Sequence, residues 1–359
     1  MKAFIIKRLF YGILVLLGVV TVVFMLFSIL PGDPARMMAG QRADEETLNA
    51  IRKEMGLDKP VWKQYLNFLN DLSPVGFYSA NDFGNIFKND ESSERKGVQL
   101  VEISKTTIAL KWPWLRTSWQ SKRPVFDLLT EALPKTMLLA FVSIVFAMFA
   151  GLSIGVVVAV INRLWLDRLV LIITVFGMSL PSFFAAILVA WIFAFLLADF
   201  TGLNMFGSLF SVDHYGNGSY LELKNLILPA FTLGIRPLAI VTELTRTSIR
   251  EVLAQDYIRT ARAKGLSAPA VILKHAMRNA LNPVVTAVSG WFASLLAGAV
   301  FVEYVFDWKG IGVVIVDALE KFDLPVLMGS VLLIAVMLII INIFVDIVYG
   351  LLDPRIRIT

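Results

Sequence analysis

Six runs of apolar residues dominate this chain and leave it few folds to choose from. They occupy roughly 9–30, 134–161, 169–198, 226–245, 283–306 and 326–352. About 20 apolar residues in helical form cross a hydrocarbon core ~30 Å thick. Inside lipid the backbone must satisfy its own hydrogen bonds, so runs of this length are expected to be transmembrane helices. Composition points the same way. The 359 residues are 57% hydrophobic and 17% charged, with a mean hydropathy of +0.72, against ~45–50% apolar and ~25% charged in soluble domains. In water such a chain would expose too much apolar surface.

Two of the runs need comment. The first follows a basic start, Lys2, Lys7 and Arg8. It is longer than a signal-peptide core, and Leu30-Pro31-Gly32-Asp33 is no small-residue cleavage site, so a retained helix is expected. The third is long for one crossing yet shorter than the roughly 36 residues two crossings need. It contains Pro181 and is expected to tilt, or to kink near Ser179-Leu180-Pro181.

Lys and Arg set the orientation. With the N-terminus inside, the inner segments 1–8, 162–168, 246–282 and 353–359 carry 14 basic residues, and the short outer loops 199–225 and 307–325 carry 3. Both termini are therefore expected on the cytoplasmic side of a cell membrane. The net charge of +5 follows from this bias and gives no reason to expect a nucleic-acid partner. There is no cysteine, and the only histidines are His214 and His275. No metal site, cofactor or catalytic residue is expected.

Residues 31–133 form an insertion on the outer side of about 100 residues. It opens with the turn-rich Pro31-Gly32-Asp33-Pro34. Asp44 can cap a helix that presents Leu48, Ile51 and Met55 on one face and stops at Gly56. Pro60 can open another, with Tyr65, Phe68, Leu69 and Leu72 together. Val98–Ile103 and Thr106–Leu110 read as strands. Residues 89–96 are a polar loop, and Trp112, Trp114 and Trp119 follow the strands. The expected architecture is a first span at 1–30, an α+β extracytoplasmic insertion at 31–133, and a core of five further spans at 134–359 with a cytoplasmic loop at 246–282.

That loop holds the most informative residues. Asp256 to Lys264 reads as a helix that Gly265 ends in a left-handed turn. Ser267 can cap a second short helix, with Pro269 in its first turn. Two short helices about a glycine make a compact knob on a membrane span. The segment Asp256-Tyr257-Ile258-Arg259-Thr260-Ala261-Arg262-Ala263-Lys264-Gly265-Leu266, followed by His275, Arg278, Asn279 and Asn282-Pro283, resembles the "EAA" coupling loop of ABC-importer permeases. The version it is similar to is that of the dipeptide, oligopeptide and nickel importers, in their B-type subunit. Arg8-Leu9, Leu30-Pro31-Gly32-Asp33-Pro34, Gly56-Leu57-Asp58-Lys59-Pro60, Ser179-Leu180-Pro181-Ser182-Phe183 and Leu352-Asp353-Pro354-Arg355 extend the resemblance over most of the chain. It departs near 74–113, where the family has a shorter link.

The resemblance implies a six-helix permease fold of the type I importer class. It implies a second, C-type permease subunit, two ATP-binding cassette subunits and an extracytoplasmic substrate-binding protein as partners, with peptide as substrate. Tyr257, Arg259, Thr260, Ala261, Ala263, Lys264, Gly265, Leu266, His275, Arg278 and Asn279 would meet the ATPase.

Charges inside the spans are costly and so informative. Arg236 and Glu243 are seven residues apart on one helical face. With Ser179 and Pro181 they are candidates for the translocation path, Glu243 also for a pair with Arg246. Asn342 and Asp346 share a face of the sixth span, and Glu303 falls near the outer end of the fifth. Gly151 and Gly155 form a G-x-x-x-G motif suited to close helix packing, and Gly290, Ala293, Ala297 and Gly298 are expected to act likewise, at the interface with a second subunit. His275 is expected to shape the knob through hydrogen bonds. The chain lacks G-x-x-x-x-G-K-S/T, so it is not its own ATPase, and it lacks G-x-S-x-G and H-E-x-x-H. A secondary transporter or channel is the alternative, and would favour internal repeats and broken helices.

Overall fold

The computed structural model describes residues 2–29, 35–36, 44–79, 97–103, 106–212 and 218–352. The turn at 30–34, the polar loop at 89–96, His214 and the closing 353–359 lie outside the described residues. In chain order the elements are α1 (Lys2–Ile29), α2 (Glu45–Glu54), α3 (Val61–Leu72), β1 (Val75–Ser79), β2 (Gly97–Ile103), β3 (Thr106–Lys111), α4 (Val125–Ile161), α5 (Leu164–Ser179) and α6 (Ser182–Val189). A π turn, Ala190–Leu196, continues α6. There follow β4 (Phe210–Val212), β5 (Ser219–Leu221), α7 (Lys224–Leu253), α8 (Asp256–Ala263), α9 (Met277–Phe306), α10 (Ile311–Glu320) and α11 (Leu324–Leu352).

Among the described residues, four helical stretches are long and apolar enough to cross a bilayer: 7–27, 125–161, 224–253 and 324–347. Helices α5 and α6 form a further candidate span broken by 112°. The break falls at Leu180-Pro181, where Pro181 has no N–H to continue α5. The expected run 283–306 lies within α9. Helix α4 begins at Val125, nine residues before the expected start, because Pro134 is accommodated inside it.

The chain divides into two compact units. One comprises 6–131 and 314–336. In it Asp44 caps α2, accepting from the Thr47 N–H at 3.1 Å, and that bond holds its carboxyl below the ordinary carboxylate range. Gly56, at φ +69°, closes the helix as expected. The three strands form an antiparallel sheet in the order β1-β3-β2, with Val75 opposite Leu110 and Ile103 opposite Thr106. Val20, Val23, Phe24, Phe68, Met328 and Leu332 make one core cluster. The buried Asp323 carboxylate ties down the 118–120 turn, accepting from Ser118 Oγ at 2.5 Å and the Trp119 N–H at 3.1 Å.

The other unit comprises 1–5, 132–313 and 337–359. Its core gathers Leu139, Ile144, Ala186, Leu233, Leu295 and Phe306 from α4, α6, α7 and α9. The G-x-x-x-G face of α4 lies directly on α7. A Cβ built on Gly155 would stand 2.6 Å from Thr245 Cβ and 2.8 Å from the Thr242 carbonyl oxygen. One on Gly151 would stand 2.8 Å from Val241 Cγ1. Glycine here allows a backbone approach no larger residue permits. The small residues of α9 make no such approach within this chain among the described residues. Gly290 has nothing within 4 Å and Gly298 only Leu233 Cδ1 at 4.0 Å, so neither makes a close helix crossing in this chain. The side chains of Ala293 and Ala297 lie outside the described residues.

At the end of α9, Glu303 is fully buried and its Oε2 accepts from the Gly312 N–H at 2.6 Å. Its carboxylate fills the space a Cβ on Gly310 would need, 2.5 Å away. It caps the start of α10, beside Ile311, whose N–H donates to Thr136 Oγ1 at 2.8 Å.

Two stability outcomes follow. Gly155→Ala should lower the stability of the detergent-purified chain by roughly 1–3 kcal/mol through overpacking, whereas Gly290→Ala should change it by less than about 0.5 kcal/mol. Thermal midpoints of the two variants check this, and equal shifts would refute the contact. Asp323→Ala should cost about 2 kcal/mol, because the buried Ser118 hydroxyl and Trp119 N–H lose their acceptor. Protease susceptibility of the 118–120 turn should rise in parallel.

Candidate functional site

The site is built where α7, α8 and α9 meet. Helix α8 is amphipathic: Ile258 and Ala261 are buried against Ile249 of α7, Val271 and Ala276 of the following turn, and Ala280 of α9. The rest of α8 faces outward. Lys264 forms the C-cap and Gly265 follows at φ +79°. The Gly265 N–H donates to Arg262 O at 2.9 Å and the Leu266 N–H to Ala261 O at 3.4 Å. These paired bonds satisfy two carbonyls that the helix end would leave orphaned, and they require a left-handed residue. A Cβ on Gly265 would meet nothing within 4 Å, so backbone conformation alone selects glycine there.

The expected second short helix is present as the single turn Ala268–Ala270, with Ser267 at its N-cap position and Pro269 in its first turn. Ser267 takes an extended N-cap position but makes no side-chain cap bond. Ala268–Ala270 passes directly into a π turn, Val271–Ala276, and from there into α9. The knob is thus a short helix, a glycine turn and a second, one-turn helix that runs through the π turn into a long helix, so it is continuous with α9. Tyr257 and Leu266 are each 41% exposed. Asn279 Nδ2 on α9 donates to Tyr257 Oη at 2.8 Å, which fixes the tyrosine across the knob. Arg259, Thr260, Ala263, Lys264, Arg278 and Asn279 are exposed, while Ala261 serves as an anchor. His275, half-buried on the π turn, makes no hydrogen bond or ion pair among the described residues, which corrects the expected shaping role. The outer face is basic, with Arg259, Arg262, Lys264, Lys274 and Arg278 exposed beside few acids.

In the last turns of α7, before α8, lies a charge cluster. Arg246 bridges Glu243, at 2.5 Å, and Asp167, at 3.1 Å, and Arg250 meets Asp167 at 2.7 Å. Asp167 belongs to the first turn of α5. The cluster therefore fastens the start of α5 to the last turns of α7. Sequence reasoning anticipated the Glu243–Arg246 pair and missed Asp167, since a lone acid in a short basic loop carries no spacing signal toward helix α7. Arg236 and Glu243 share a face but do not meet. Arg236 Nη2 instead donates to the Leu180 carbonyl at 2.8 Å, at the break between α5 and α6. Ser179 Oγ bonds back to Val175 O at 2.8 Å, and Pro181 is the N-cap of α6.

Residues 151–358 match the family model described as binding-protein-dependent transport system inner membrane component. Residues 1–95 match the N-terminal model of the same systems. The chain is 32% identical to the dipeptide transport system permease protein DppB of Alkalihalophilus pseudofirmus, over 99% of this chain and 100% of the relative. It is 35% identical to the glutathione transport system permease protein GsiC of Escherichia coli K12, over 99% of each. A solved structure, the inward-facing MetNI methionine ABC transporter, shares the fold with a TM-score of 0.52 at 17% identity, covering 64% of this chain and 97% of that one. The chain therefore belongs to the binding-protein-dependent transport system inner membrane component family, as a multi-pass permease component.

Proposed function

We propose that this chain forms half of the translocation pore of an ATP-driven ABC importer for peptides and is moved by a cytoplasmic ATPase through residues 256–283. The carrying observation is the glycine-closed knob, basic outside and pinned by Ile258 and Ala261 to two long helices, in a chain whose full-length relatives are named as dipeptide and glutathione permeases. A knob continuous with α9 transmits displacement because it has no flexible joint through which to dissipate it. Tyr257, Arg259, Thr260, Ala263, Lys264, Gly265, Leu266, Arg278 and Asn279 contact the ATPase, and His275 lies at the edge of that surface. The subunit itself is non-catalytic and hydrolysis belongs to two ATP-binding cassette partners. The partner in the membrane is a C-type permease, and an extracytoplasmic binding protein delivers substrate.

In this reading six spans, α9 among them, place both termini in the cytoplasm of a cell membrane. The insertion 31–133 faces outward, with 1–30 as first span and 134–359 as permease core around the loop 246–282. Arg236, Ser179 and Pro181 line the path, and Glu243 belongs to the charge cluster at its cytoplasmic end. A broken span would also suit a carrier that uses no ATPase. The family match over 151–358 favours the importer.

Gly265→Val places a β-branched residue at φ +79°, a strain of about 1–2 kcal/mol. Transport by the full complex in proteoliposomes should fall at least tenfold, and co-purification of the ATPase should weaken, with the permease still membrane-inserted. Unchanged assembly and uptake would overturn the assignment of the knob. Asp167→Asn should leave the complex assembled but raise the ATP hydrolysed per peptide several-fold, because α7 and α5 no longer move as one. An unchanged ratio would confine that cluster to a structural role.

A further inference from the structure

Arg236 differs from the arginines lower on α7. Arg246 and Arg250 are each answered by a carboxylate. Among the described residues Arg236 has none, and its Nε is buried without any partner. It lies ~18 Å along the axis from the first residue of α7, at 1.5 Å per residue, deep within a span-length helix. A fixed cation at that depth is unfavourable unless something answers it.

The surroundings leave room for an answer. Beside the guanidinium is a cavity of about 40 Å³ whose lining includes Gly177, Ser182, Trp291, Ser294 and Gly298. That is roughly three times the space one water needs, and a carboxylate has three heavy atoms. The guanidinium offers five N–H donors in a planar fork that matches a carboxylate. Leu180 takes one donor at 2.8 Å, and the remainder are unused among the described residues. Holding a single carbonyl at the helix break requires only a neutral donor. The charge and the remaining donors exceed that task.

We propose that Arg236 is an anion-binding station in the translocation path, which receives the free carboxylate of a peptide as it passes the break between α5 and α6. This rests on the peptide-importer reading above. The Leu180 carbonyl holds the guanidinium in place, and both residues line the cavity. The small residues there admit the carboxylate, and Ser182 and Ser294 supply hydroxyls within the same lining.

The test uses the full importer in proteoliposomes, with its binding protein and ATP, and a peptide carrying a photoreactive group on its C-terminal residue. In the wild type the label is expected on the segments around Leu180 and Arg236. It should weaken only a few-fold in R236K, which keeps the charge but loses the planar fork, and fall at least tenfold in R236Q. A peptide labelled on its N-terminal residue should lose less than twofold in R236Q. Equal loss of both labels, or wild-type labelling elsewhere during active uptake, overturns the station while leaving the importer intact. Should R236Q fail to assemble, the wild-type labelling map and R236K decide the matter alone. If the wild-type complex takes up no peptide at all, the importer reading fails and the station with it.

Discussion

The approach of α4 to α7 at Gly151 and Gly155 is the constraint on which the membrane core depends. With no side chain on α4 at these positions, the α7 backbone comes close enough that Thr242 and Thr245 pack against helix rather than lipid. Lipid tails give no hydrophobic gain from bringing helices together, so fit must supply the association. Once α7 is enclosed it can carry what a lipid-facing helix cannot. Arg236, Glu243, Arg246 and Arg250 all sit on it, and Pro229 and Pro237 lie within it.

The charges then find their partners in neighbouring segments rather than along α7 alone. Asp167 from α5 answers two arginines, and the Leu180 carbonyl answers a third. Both contacts join α7 to α5 and its break. The Asp167 contacts lie at the same end of α7 as α8. The knob thus has a continuous polar and apolar connection to the kinked span, through Ile249 and Ile258 on one side and Asp167 on the other. Proline supplies the break, and Arg236 stabilises a carbonyl that the break leaves without a helical donor.

The knob shows how little sequence is needed to fix a local shape. Gly265 is placed by φ alone, and Ile258 and Ala261, three residues apart, define the single buried stripe of α8. The rest of α8 is free of packing demands, so its basic and aromatic surface is available to a partner. Continuity of Ser267 through the π turn into α9 makes that surface one piece with a long helix. The extra residue in a π turn rotates Val271 and Ala276 inward, where they complete the small core under the knob.

Sequence alone determined the apolarity of the long helices, the stop at Gly265, the cap at Asp44, the strands near Val98 and Thr106, and the close-packing face at Gly151 and Gly155. Each is a property of neighbouring residues or of a fixed period, which a linear reading captures. The tertiary structure decided what depends on distant segments meeting. It gave Asp167 to Arg246 and Arg250, the Leu180 carbonyl to Arg236, Glu303 to the start of α10 and Asp323 to the 118–120 turn. Among the described residues it also left His275 without a hydrogen bond. A buried ion pair or cap is chosen by which helices pack together, and that choice is made by shape across the whole core, not by spacing along one helix.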